Sequence, residues 1–207
     1  MTNQPAGADD QLRHFSAHAR DVRGLVQGDY NTVHVGQDAT LSPFPIFLAP
    51  PRLEIVFGRD EILNEVRSTL KARLDPAPVL LRGLPGAGKT TIALELAHDP
   101  TIAANHPDGV LWVSVGKEGQ GVLPGLVDWG RALGVSATDI AGNSIQSWCR
   151  ALHHATRQKS LLIVVDDVWR VHDALPFLIG GDACSRLVTT RSHRALLTFL
   201  WAPVHDR

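Results

Sequence analysis

The chain is predicted to be a three-layer α/β protein, a parallel sheet with helices on both faces. Three observations predict it. Short apolar runs without period-2 alternation lie at 79–83, 110–115, 161–167 and 186–190, helical spacings fill the intervals, and Asp-Pro pairs end two of the helices. Strands buried on both faces read as continuous apolar runs, and their alternation with helices calls for a parallel sheet.

The first helix follows from Leu63, Val66, Leu70 and Leu74 at spacings of three and four, and Asp75-Pro76 with Pro78 ends it. VLLRG at 79–83 has the length of a buried strand, and the glycine loop after it leads into the helical pattern TTIALELAH, stopped at Asp99-Pro100. The second strand is VLWVSV at 110–115; helical stretches at 123–133 and 144–157 lead to LLIVVDD at 161–167, and RLVTT at 186–190 is the fourth strand.

Residues 1–51 have a different character: Gly, Asp, Asn and Gln are frequent, and the proline-studded SPFPIFLAPPR at 42–52 reads as a linker. Within this extension, Thr32, Val33, His34 and Val35 alternate after a Gly-Asp turn signal, which predicts a short strand or hairpin. The globular domain is expected to occupy 52–207.

Composition narrows the function classes. With 20 Lys and Arg against 21 Asp and Glu, the net charge of −1 disfavours a surface built to grip nucleic acid or anionic lipid. Cys149 and Cys184 show no CxxC spacing, so reduced thiols are expected. The polar start lacks the apolar run of a secretory signal, and no apolar stretch approaches the roughly 18 residues that span a bilayer. A cytoplasmic location without a membrane partner is the expectation.

Gly83-Leu-Pro-Gly-Ala-Gly-Lys89-Thr90 fits GxxxxGK[ST] without a mismatch, between a predicted strand and a predicted helix. Such a loop cradles phosphates with inward backbone N–H groups, aided by the positive end of the following helix. Pro85, Gly86, Ala87, Gly88, Lys89, Thr90 and Thr91 are the candidate phosphate contacts, Lys89 on the β- and γ-phosphates and the Thr90 hydroxyl on Mg²⁺.

LLIVVDD places Asp166 and Asp167 at the carboxyl end of a buried strand, where open α/β sheets bind ligands. Asp166 suits holding Mg²⁺, and Asp167 suits orienting or deprotonating the attacking water. No NKxD sequence follows, so adenine is favoured over guanine and the expected ligands are ATP and ADP.

With these motifs in order, the chain resembles the NB-ARC family of STAND signalling ATPases. VFGRDEIL at 56–63 is similar to its adenine-pocket motif, GLPGAGKTTIALELA at 83–97 to its P-loop, LLIVVDDVW at 161–169 to its extended Walker B, and SRLVTTRS at 185–192 to its sensor-1 strand. The resemblance implies a P-loop NTPase fold, with Phe57, Gly58 and Arg59 recognising adenine. It also implies that Arg191 senses the γ-phosphate, a task suited to the planar fork of a guanidinium.

From the same resemblance comes the expected function: a switch in which ATP exchange permits homo-oligomers or other protein partners and slow hydrolysis resets the ADP state. An ordinary turnover ATPase or small-molecule kinase, and an inactive interaction module, are the alternatives. Family members continue into a further strand, a lid with a GLPL-type sequence and a winged-helix module. No such motif precedes Arg207, so the expectation is an open site of modest affinity with comparable preference for ATP and ADP.

His153 and His154 lack the spacing of a metal motif, no GxSxG elbow occurs, and the five tryptophans follow no period and read as core.

Overall fold

The computed structural model describes residues 45–52, 58–72 and 77–192. Every described residue belongs to one unit of the chain, Ala39–Arg207. The hairpin expected near Thr32 to Val35 lies outside the described residues.

Among the described residues five parallel strands form one sheet in the order β1-β3-β4-β5-β2: β1 (Ile46–Phe47), β2 (Val79–Arg82), β3 (Gly109–Ser114), β4 (Leu161–Val168) and β5 (Ser185–Thr190). The helices are α1 (Asp60–Ala72), α2 (Lys89–Ala97), α3 (Pro100–Asn105), α4 (Val122–Ala132), α5 (Ile145–Thr156) and the short α6 (Val171–Ala174). The three-layer α/β architecture is therefore as expected from the sequence.

Alternation of side chains along each strand supplies both layers. Leu111, Val113, Leu161, Ile163, Val165 and Val188 join one core with Leu126, Trp129, Trp148 and Leu152 of α4 and α5. Val110, Trp112, Leu162, Val164 and Leu187 join a second with Val66 and Leu70 of α1 and Ile92 and Leu96 of α2. Trp129 and Trp148 are fully buried, and their indole N–H groups donate to Trp112 O at 2.9 Å and Asn143 Oδ1 at 2.6 Å. A buried indole needs such a partner, so these two rings peg α4 and α5 in place.

Two segments differ from their sequence reading. The proline-rich stretch read as a linker supplies the edge strand β1: Ile46 N–H donates to Asp108 O at 2.9 Å and Leu48 N–H to Val110 O at 3.0 Å. Gly109 permits this, because at φ 112° a Cβ there would lie 1.8 Å from Ile46 O. The stretch then crosses α2, where His98 Nε2 meets Pro50 O at 2.8 Å and Arg52 pairs with Glu95 at 2.7 Å. A dispersed set of two ladder bonds and a few side-chain contacts has no periodicity to read.

Asp99-Pro100, read as a helix stop, also starts a helix. Asp99 caps α3 by accepting from Thr101 N–H at 2.7 Å, and Pro100 occupies the first turn, where its missing N–H costs nothing. Burial pushes the Asp99 carboxyl up, but bonds from Thr101 and from Arg67 of α1 outweigh it and hold it below its ordinary value.

Candidate functional site

The carboxyl ends of β2, β5, β4 and β3 lie side by side, so the loops that follow them share one end of the sheet. After β2 the chain turns through residues 83–88 into α2. Gly86 and Gly88 have φ of 76° and 81°, a left-handed backbone that glycine adopts without strain. Ala87 N–H donates to Leu84 O at 3.1 Å and closes the turn, with Leu84, Pro85 and Gly86 exposed at its tip.

No side chain caps α2 at Gly88 and its first turn holds no acid, so the N–H groups of Lys89, Thr90 and Thr91 start a helix with its positive end uncompensated. Lys89 Nζ donates to Gly83 O at 2.9 Å and Leu84 O at 3.0 Å, folded over its own loop. Arg59 joins from the turn at Gly58 (φ 68°): its Nη2 lies 3.5 Å from where a Gly88 Cβ would stand. Arg59 therefore packs on the phosphate loop. Phe57, the third residue expected at adenine, lies outside the described residues.

The acidic pair occupies a β-bulge. Val165 pairs with Val188 and Val168 with Thr190, so Asp166 and Asp167 together face the single residue Thr189. Asp167 takes φ 54°, unusual for a residue with a side chain. In a regular strand the two carboxylates would point to opposite faces; the extra residue breaks that alternation and turns the strand end.

Asp166 is 5% exposed and collects three hydroxyls. Thr90 donates to its Oδ1 at 2.9 Å, Thr189 to Oδ1 at 2.6 Å, and Ser114 of β3 approaches Oδ2 at 3.4 Å. The Thr90 contact binds the first turn of α2 to β4. Thr189 and Ser114 escaped the sequence reading; the available signal was a hydroxyl at the end of an otherwise apolar strand.

Beyond β5, Arg191 Nε lies 3.4 Å from Asp167 Oδ1, and its guanidinium sits 5.0 Å from the centre of the Trp169 ring. Lys117 Nζ approaches the same ring at 5.8 Å. Trp169 is thus a platform for two cations beside the acids, which corrects its reading as a core residue; Trp201 lies outside the described residues.

The loop after β3 walls this side with a polar cavity of about 380 Å³ between Ser114 and Gly121. Arg170, one residue past Trp169, donates to Glu118 O at 2.8 Å and pairs with Asp173 at 2.8 Å, tying that loop to the end of β4.

The model of the NB-ARC domain matches residues 59–196. The chain belongs to the NB-ARC family. A crystal structure of Cdc6p from Pyrobaculum aerophilum is similar at 17% identity and a TM-score of 0.44, the match covering 77% of this chain and 44% of that one. No curated protein matches.

Nucleotide binding is the function class that the NB-ARC family carries, and the donor set fits it. The first turn of α2 offers backbone N–H groups beside the Lys89 ammonium, which are donors that suit phosphate oxygens, and Thr90 with Asp166 presents a hydroxyl and a carboxylate 2.9 Å apart. Hard oxygen donors of this kind suit Mg²⁺, which is ordinarily held by one or two carboxylates together with substrate phosphates. Among the described residues no group of three or more His, Cys, Asp or Glu is placed to hold a metal ion. No helix of the described residues is long and apolar enough to cross a membrane.

Proposed function

We propose that this NB-ARC chain is a cytoplasmic, signalling switch of the STAND type that binds ATP and ADP with Mg²⁺. It hydrolyses ATP slowly and couples exchange to assembly with copies of itself or other proteins. The observation that carries this reading is the convergence of Lys89, Thr90, Asp166, Asp167 and Arg191 at one end of the sheet, with Thr90 bonded to Asp166 and Asp167 paired with Arg191.

Each group has a task that its position supports. The backbone N–H groups of Gly86 to Thr91 and the Lys89 ammonium bind the phosphates, with Pro85, which has no N–H, shaping the loop; Gly58 and Arg59 serve adenine recognition, as the family resemblance implies for them and for Phe57. Thr90 and Asp166 hold Mg²⁺, whose chemistry is to neutralise charge on the β- and γ-phosphate oxygens. Asp167 orients the attacking water and accepts its proton. Arg191 reports whether a γ-phosphate is present.

Titration with ATP, ADP and GTP in the presence of Mg²⁺, followed by steady-state hydrolysis, tests the proposal. Binding of both adenine nucleotides without GTP, and turnover far below the roughly 1–100 per second of kinases, is the expected result. Turnover within that range favours an ordinary ATPase or kinase. Failure to bind any nucleotide favours an inactive interaction module.

A further inference from the structure

We propose that Thr189 is a positioning residue that sets both acids at once, a role deepening the reading of the site given above. Its hydroxyl donates to Asp166 Oδ1 at 2.6 Å and accepts the Asp167 backbone N–H at 2.9 Å. A threonine hydroxyl has one proton and two lone pairs, so a single group makes both bonds.

The need for it follows from the bulge. Two residues opposite one leave a ladder group without its ordinary backbone partner, and a buried unpaired N–H costs about as much as a lost hydrogen bond. Thr189 supplies the acceptor from its side chain, and at 1% exposure little water competes for the place. Thr190 makes the companion contact, its hydroxyl donating to Val168 O at 2.7 Å. Two successive threonine hydroxyls thereby restitch β5 to β4 across the interruption.

Holding the Asp167 N–H keeps that residue in its left-handed backbone conformation, and holding Asp166 Oδ1 fixes how that carboxylate faces Thr90. The orientation of the metal-holding acid and the departure of the water-orienting acid from the strand are therefore one coupled geometry. Valine at this position would keep the shape and lose both bonds.

The test compares Thr189→Val and Thr189→Ser with the wild-type chain by three measurements. Amide exchange at Asp167, read by NMR without nucleotide, should be roughly tenfold faster in the valine variant, as for loss of one net hydrogen bond, and restored in the serine variant. ATP affinity without metal should stay unchanged, since the phosphate loop is untouched, while the gain in affinity from Mg²⁺ shrinks. Hydrolysis should fall about tenfold in valine and recover in serine.

Unchanged Asp167 exchange together with unchanged Mg²⁺ dependence in Thr189→Val overturns the proposal. If the wild-type chain binds no nucleotide, the reading of the site fails, and the exchange measurement still decides the role of Thr189. If the valine variant does not fold by circular dichroism, Thr189→Cys, a weaker donor of similar size, must show intermediate exchange and Mg²⁺ dependence; wild-type values in both again overturn it.

Discussion

Arg191 and Asp167 hold each other, with Nε 3.4 Å from Oδ1 and the guanidinium resting on Trp169. The group assigned to sense a γ-phosphate is thus paired with the group assigned to the water. An arriving γ-phosphate competes with Asp167 for the guanidinium, and the contact given up offsets the one gained. ATP and ADP should then bind with comparable affinity, yet only ATP should draw Arg191 off the ring. Trp169 emission, isolated by subtracting spectra of Trp169→Phe, is expected to change with ATP and Mg²⁺ and stay constant with ADP. An equal response to both nucleotides would refute the competition.

Lys89→Ala removes the ammonium now bonded to Gly83 O and Leu84 O. A charge-assisted contact is worth about 1.5–3 kcal/mol, so nucleotide affinity should fall roughly ten- to a hundredfold. Calorimetry makes the comparison, with circular dichroism checking the fold. Undiminished affinity would remove Lys89 from the phosphate site.

The two acids should separate cleanly. Asp167→Asn keeps size and hydrogen bonding but loses the base, so ATP should still bind while hydrolysis drops. Asp166→Asn loses the carboxylate charge beside Thr90, so the Mg²⁺ dependence of binding should weaken instead. Exchange of these phenotypes between the variants would reverse the order of roles.

Gly109→Ala probes the edge strand. A Cβ placed 1.8 Å from Ile46 O, on a backbone at φ 112°, forces β1 away from β3. The variant should lose about 1–3 kcal/mol in denaturant unfolding, the range for a strained backbone position. Amide exchange at Ile46 and Leu48 should become fast, because their acceptors are Asp108 O and Val110 O. Protected amides at both positions would show that β1 tolerates the added methyl.

Features that depend on local pattern are legible along the chain. The apolar runs became β2 to β5, since a strand buried on both faces needs an apolar residue at nearly every position. The glycine loop between a strand and a helix was legible because few other residues accept φ near 80° at 86 and 88. Asp166 and Asp167 stood out as charges at the end of a buried strand.

Which of these groups meet, and how they are aimed, follows from strand pairing and helix packing. Asp166 lies 76 residues from Thr90, and no spacing in the chain states that their oxygens come within 2.9 Å. The bulge that separates the two acids arises from the pairing of β4 with β5, so it is a property of two strands and not of either one. The same holds for Trp169, which composition assigns to a core and the fold places under Arg191. Hydrophobic periodicity records which face of an element is buried; hydroxyls, rings and guanidinium groups acquire their roles only from partners that folding brings across the sheet.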